Sequence, residues 1–276
     1  MMKRADDLEP TGGEMTLGIV RTNLNRTRTL ALHAGEFLRP GGPPGIVVSH
    51  HKCGSVWTWN VIRSACRRHG IPARRIHTHQ RRGAILQRAC RVVMIIDSND
   101  NMPLEHLRSC RLVHVTRDPR GILASMLESH RSTHPLSRRE HDPWGEIARN
   151  RAALQTRDDD DGYRWLFEHS DYLARVIAQM VMIEETARPA DRIDLHDIAT
   201  DPRESIRRLV VPLGIPETEI DDLAAQFAFS KTRDRRGHHR RGEPASWREE
   251  LPADVIRSFQ IRWGNELERL GYPACD

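Results

Sequence analysis

Three short runs constrain this chain most: "IVVS" (46–49), "RVVMIID" (91–97) and "RLVHVTRD" (111–118). Each is nearly continuous in apolar residues and does not alternate. That is the pattern of a strand covered on both faces, as in a parallel sheet. Parallel neighbours need a crossover between them, and the intervening stretches read as helices. "WTWNVIRSACRRH" (57–69) is amphipathic, with Trp57, Val61 and Ala65 or Cys66 on one face, and Gly70 and Pro72 stop it. Shorter helical stretches are expected at 81–90 and 103–109. "PRGILASMLESH" (119–130) starts with Pro in its first turn. The rhythm predicts an α/β fold with a parallel sheet flanked by helices.

The rest adds to that frame. "RRIHTH" (74–79) and "RIDLHDI" (192–198) are expected as further strands. Residues 136–190 read as mostly helical, broken by an acidic loop, "RDDDDG" (157–162). "DPRESIRRLVVPLGI" (201–215) and "PADVIRSFQIRWGNELERLGY" (252–272) read as amphipathic helices, the second burying Val255, Phe259 and Trp263. "RPGGPPG" (39–45) breaks regular structure. Residues 1–40 are therefore expected to be a partly loose extension and 41–276 a single domain. No apolar run approaches 18 residues and no leader pattern opens the chain, so a cytoplasmic protein is expected. The five cysteines are scattered without a CxxC pair, which argues against a disulfide framework and a structural zinc site.

The chemistry concentrates in three places. The first is "HHKCGSVW" (50–57), at the turn from the first strand into its helix. A glycine there permits close backbone approach, and the free N–H groups and dipole of a helix N-terminus favour an anion. Lys52 supplies a charge and Ser55 a hydroxyl; the chain has only three lysines, so its position is notable. The nucleotide-triphosphatase pattern GxxxxGK[ST] is absent. The second is "VTRDPRGILAS" (115–125), where Arg117 ends a strand and Ser125 returns two helical turns later. That pair suits a second phosphate, although Arg117-Asp118 also suits a local salt bridge and helix cap. The third is "RRGEPASW" (240–247), which can close over an anion or be a solvated basic loop.

In this order, the three segments resemble the cofactor-binding motifs of the PAPS-dependent sulfotransferases, in particular bacterial-type, soluble or cytosolic-like members: the PKSGTTW loop, the RDPRD…S motif and the RKGxxGDW closing loop. "RIDLHDIATDPRESIRRLVVPLGI" and "FAFSKTR" add softer matches, and the likeness runs from about residue 45 to 272. The resemblance implies a sulfotransferase fold, a P-loop-like parallel sheet flanked by helices. It implies PAPS as co-substrate, PAP as product and no metal. Lys52 would meet the 5′-phosphosulfate and act on the leaving phosphate, in a loop formed with Cys53, Gly54, Ser55 and Val56. Trp57 would stack on adenine, with Phe229 nearby. Arg117 and Ser125 would hold the 3′-phosphate, joined by Arg240, Arg241 and Gly242. Departures from the family include Val56 for a threonine, Leu195 for the tyrosine of YEDL, and His51 for a proline.

The catalytic base departs most. The family's KTH histidine has no counterpart in "IIDSNDNMP" (95–103). Other members use a glutamate further from the lysine, where this chain has His77 and His79. These are the first candidates, since histidine titrates near neutrality. Asp97 is the second and His51 the third. The expected reaction moves a sulfuryl group from PAPS to a hydroxyl or amine of a small-molecule or saccharide acceptor, with no nucleic-acid or membrane partner. Three other readings stand beside it: a sulfotransferase-fold protein that binds nucleotide without transfer, a P-loop kinase-like phosphotransferase, and a nucleic-acid binder using the arginines of 230–248.

Overall fold

The computed structural model describes residues 45–77, 91–96, 111–134, 146–186, 192–228, 246–272 and 274. A five-stranded sheet organises them: β1 (Gly45–Ser49), β2 (Ala73–His77), β3 (Val92–Ile96), β4 (Arg111–Thr116) and β5 (Arg192–Asp194), in spatial order β2-β3-β1-β4-β5. All four pairings are parallel, as the continuous apolar runs require. The register aligns Ser49 with Ile96 and Val115, His77 with Ile96, and Thr116 with Asp194. One edge of the sheet therefore collects all the C-terminal strand ends, where open α/β sheets bind ligands.

The buried apolar side chains form two cores, and the strand residues join the first. Val47, Met94, Val113, Val115 and Ile193 pack with α1 (Ser55–Arg68), whose buried stripe is Trp57, Thr58, Val61, Ile62, Ala65 and Cys66. The second core is built by α2 (Pro119–Glu128), α3 (Glu146–Leu154), α4 (Asp159–His169) and α5 (Asp171–Thr186). α6 (Leu195–Thr200), α7 (Pro202–Val210) and α8 (Ile220–Phe227) complete the first core. α9 (Trp247–Glu250) and α10 (Ala253–Arg269) complete the second, and α10 buries Val255, Phe259 and Trp263 as its periodicity predicts.

Two expectations are corrected. The acidic run is not a loop: Asp158 caps α4 by accepting from the Asp161 N–H, and Asp159, Asp160 and Asp161 form its first turn. Carboxylates are stabilising there, against the positive end of the helix dipole. The strand expected over 192–198 stops at Asp194. Asp194 and Asp197 form a reciprocal capping box, which starts α6 and ends the extended backbone. The N-terminal extension and the helices expected at 81–90 and 103–109 lie outside the described residues.

Candidate anion-binding site

The site begins where β1 ends. His50 to Gly54 turn sharply, with the Cys53 N–H donating to the His50 carbonyl at 3.2 Å. Lys52 (φ 64°) and Gly54 (φ 74°) are both left-handed. A left-handed lysine costs about 1 kcal/mol or more, so the surrounding structure must hold this bend. At Gly54 a side chain is also excluded by space, because a Cβ would lie 2.8 Å from Leu195 Cδ1. α1 then starts at Ser55 with no side-chain cap and no acidic residue in its first turn. Its leading N–H groups and dipole are thus available to an anion. Burial pushes the Cys53 thiol well up, so Cys53 contributes backbone and packing rather than a thiolate.

The second motif is joined to the first. Arg117, just beyond β4, donates from Nη1 to the Lys52 carbonyl at 3.2 Å. Its guanidinium lies along Gly121, where a Cβ would come within 2.9 Å of Nε. Burial draws the Arg117 pKa down from its usual value, partly opposed by Cys53, Asp118, Glu250 and Asp194. Asp118 serves the local role its sequence allows, but toward a different arginine. It accepts from the Arg120 N–H at 2.8 Å and pairs with the Arg120 guanidinium at 2.8–3.2 Å. Arg117 is left to face the loop. Between Pro119 and Leu127 every residue of α2 is buried except Ser125, which is half-buried.

The third motif reaches the second through its tryptophan. Trp247 is buried, with the Arg120 guanidinium 4.1 Å and the Arg248 guanidinium 4.7 Å from its ring centroid. Arg240, Arg241, Gly242 and Phe229 lie outside the described residues. Trp57, expected as an adenine platform, is a core side chain here. It is 2% exposed, and its indole N–H donates to the Phe227 carbonyl at 2.9 Å.

Of the candidate bases, His77 is the last residue of β2, and His79 and Asp97 lie outside the described residues. His51 is buried and is not alone. Its Nε2 is 3.0 Å from His130 Nε2, and its ring centroid is 5.2 Å from that of His134 and 4.7 Å from that of Tyr172. Burial first, then His130, His134 and Lys52, hold the His51 pKa well below the usual value. His130 is depressed in the same way by burial, His134 and Lys52. His50 turns elsewhere, to His114 at 2.8 Å, and His114 meets Glu184 at 2.5 Å. Neither His130 nor His114 was singled out from the sequence; each lies more than sixty residues from its partner, and spacing gives no signal for such pairs. Among the described residues no group of three or more His, Cys, Asp or Glu side chains is placed to hold a metal ion.

This loop, its arginine tie and the docked tryptophan sit within a match to the family described as "Sulfotransferase domain", which spans residues 43–271. The chain belongs to the sulfotransferase family. It is a PAPS-dependent sulfotransferase, the class that takes the sulfuryl group from PAPS. Its fold is similar to that of mouse sulfotransferase SULT7A1, solved as a complex with PAP. The TM-score is 0.58 at 17% identity, over 86% of this chain and 89% of that one. The comparison with curated proteins found no match. Among the described residues no helix of this sulfotransferase is long and apolar enough to cross a membrane.

Proposed function

We propose that this enzyme moves the sulfuryl group of PAPS to a hydroxyl or amine of a small-molecule or saccharide acceptor, holding the phosphosulfate in the Lys52–Val56 loop. The observation that carries this reading is the Arg117–Lys52 hydrogen bond at the mouth of the uncapped α1. It supports reading the loop and Arg117 as one site for the two phosphate ends. Gly54, Ser55 and Val56 offer backbone N–H groups to the 5′ end, with the Ser55 hydroxyl. Val56 is exposed, so its apolar side chain leaves the helix mouth open. Arg117 and Ser125 take the 3′-phosphate, with Arg240, Arg241 and Gly242 closing over it. Trp57 anchors the C-terminal end of α8 two residues before Phe229, and Phe229 is assigned the adenine contact.

The chemistry then follows from charge. As the acceptor atom attacks sulfur, the bond from sulfur to the 5′-phosphate oxygen breaks and its electron pair stays on PAP. Lys52, fixed by its strained backbone, stabilises that growing charge. The acceptor's proton must leave as attack proceeds.

The test is transfer of radiolabelled sulfate from PAPS into a mixture of phenols, alcohols, amines and oligosaccharides. The expected result is labelled product from wild type and about 100-fold less from Lys52→Ala. Tight PAP binding with no labelled product from any acceptor would overturn the transfer reading in favour of a nucleotide-binding protein.

A further inference from the structure

The family's KTH histidine is missing from this chain, yet histidines gather beside Lys52 from two other places. One is His51, in the turn itself. The others are His130 and His134, on the turn that follows α2. That turn, Ser129–Thr133, is π-helical, closed by the His134 N–H donating to the Ser129 carbonyl at 2.7 Å. An inserted π turn rotates the residues after it relative to a continuing α-helix, and such turns concentrate at functional sites. Here it sets the His134 ring centroid 5.2 Å from that of His51 and 6.0 Å from that of His130. The turn is firmly held. Arg131 pairs with Asp159 at 2.6 Å and donates to the Leu154, Arg157 and Asp158 carbonyls.

Hydrogen bonding sets the protons. Asn150 Nδ2, from α3, donates to His130 Nδ1 at 3.0 Å. His130 then carries its proton on Nε2 and donates it to His51 Nε2. The pair is buried, with His51 8% and His130 0% exposed, whereas His134 is half-buried. His134 is thus the most exposed of the three imidazoles. The groups facing the cluster are Lys52 from the loop, Tyr172 from α5 and Asn150 from α3. Glu146, the buried carboxylate of α3, is taken up by Ser170, the Tyr172 N–H and Arg175.

Resting on the sulfuryl-transfer reading above, we propose that His134 is the base that takes the acceptor's proton, with His51 and His130 as the residues that position it beside Lys52. The step balances simply. The acceptor O–H or N–H proton passes to the neutral His134 imidazole as the acceptor–sulfur bond forms. The sulfur–oxygen bond to PAP breaks with its electron pair on the phosphate, and imidazolium later releases the proton to solvent. Before donor binds, Lys52 disfavours a proton on His51 and His130. Phosphosulfate bound against Lys52 offsets that repulsion, so proton acceptance becomes easier when the reaction is set to run.

The experiment uses full-length protein labelled with 15N-histidine, titrated with PAP and then PAPS, with calorimetry in parallel and 2-naphthol as probe acceptor. PAPS is expected to move the imidazole resonances of His134, His51 and His130. His134→Gln is expected to lower kcat by about 100-fold or more, leave the PAPS Kd within about twofold, and remove the acid limb of the kcat–pH profile. His130→Gln is expected to shift the midpoint of that limb without removing it. The proposal is overturned if calorimetry shows PAPS bound while none of the three resonances moves, or if His134→Gln keeps kcat within about threefold of wild type. If wild type leaves 2-naphthol unsulfated, the resonance response alone decides. If PAPS does not bind at all, the sulfuryl-transfer reading itself fails.

Discussion

His50 and His51 are neighbours in sequence, and the fold gives them opposite surroundings. His50 points into a chain that ends on a carboxylate, His50–His114–Glu184, crossing from the β1 turn through β4 to α5. His51 enters a pair that ends on an amide, His51–His130–Asn150, beside Lys52. Burial lowers the His114 pKa, but the hydrogen bond and charge of Glu184 oppose it. Nothing comparable opposes burial at His51 or His130, where Lys52 and the other imidazoles add to the depression. One chain is a staple between strand and helix. The other keeps its imidazoles neutral beside Lys52, where we propose that the acceptor's proton is received.

The comparison breaks first at His114. Replacing it with alanine removes a fully buried side chain and leaves His50 and Glu184 without their shared partner. His114→Ala is expected to lower the unfolding free energy by about 2–4 kcal/mol, read from urea midpoints, with PAP affinity changed little. A variant that keeps its stability but loses PAP would place His114 with His51 rather than apart from it.

The next effect is on acid stability. The folded-state pKa values of His51 and His130 are below the unfolded value, so between the two the unfolded chain binds more protons. Stability is therefore full above about pH 6.5 and falls as pH drops below it, by up to about 1.4 kcal/mol per pH unit for each histidine. The double variant His51→Gln, His130→Gln is expected to flatten the pH 7.5 to 5.5 dependence of the unfolding midpoint. An unchanged slope would mean that neither imidazole is held neutral by the fold.

The smallest expected effect concerns the link between the second and third motifs. Arg120→Lys keeps the charge but loses the two-pronged grip on Asp118 and the guanidinium contact over the Trp247 ring. About 1 kcal/mol of stability is expected to go, with PAP affinity reduced less than by Arg117→Ala. A larger loss of PAP affinity from Arg120→Lys than from Arg117→Ala would reverse the roles given to these two arginines.

How much of this was legible depended on whether the signal was local. β1, β3 and β4 announced themselves because parallel strands in a covered sheet must be apolar on both faces. The anion loop was legible because its parts are contiguous: a strand end, a lysine, a glycine and a helix start. Other local signals were present but misread. Asp158 and the three aspartates after it are a good helix start, and "DLHD" carries the capping box that shortens β5. Trp57 is more instructive. Its helical periodicity assigned it to the core and the resemblance assigned it to adenine; burial places it in the core. The histidine pairs were not legible at all. His51 and His130 are 79 residues apart, and their contact exists only because α2 returns its C-terminal turn to the strand ends.

The central claim is that Lys52 and Arg117 form one site for the two phosphate ends of a single nucleotide. Calorimetric titration with PAP tests it most directly, using wild type, Lys52→Ala, Arg117→Ala and the double variant. Each single change is expected to weaken binding about 10- to 100-fold, the loss of a hydrogen bond to a charged group. Because Arg117 holds the Lys52 carbonyl, the double variant is expected to lose less than the sum of the two. Wild type that takes up no PAP, or single variants that bind it as wild type does, would contradict the account.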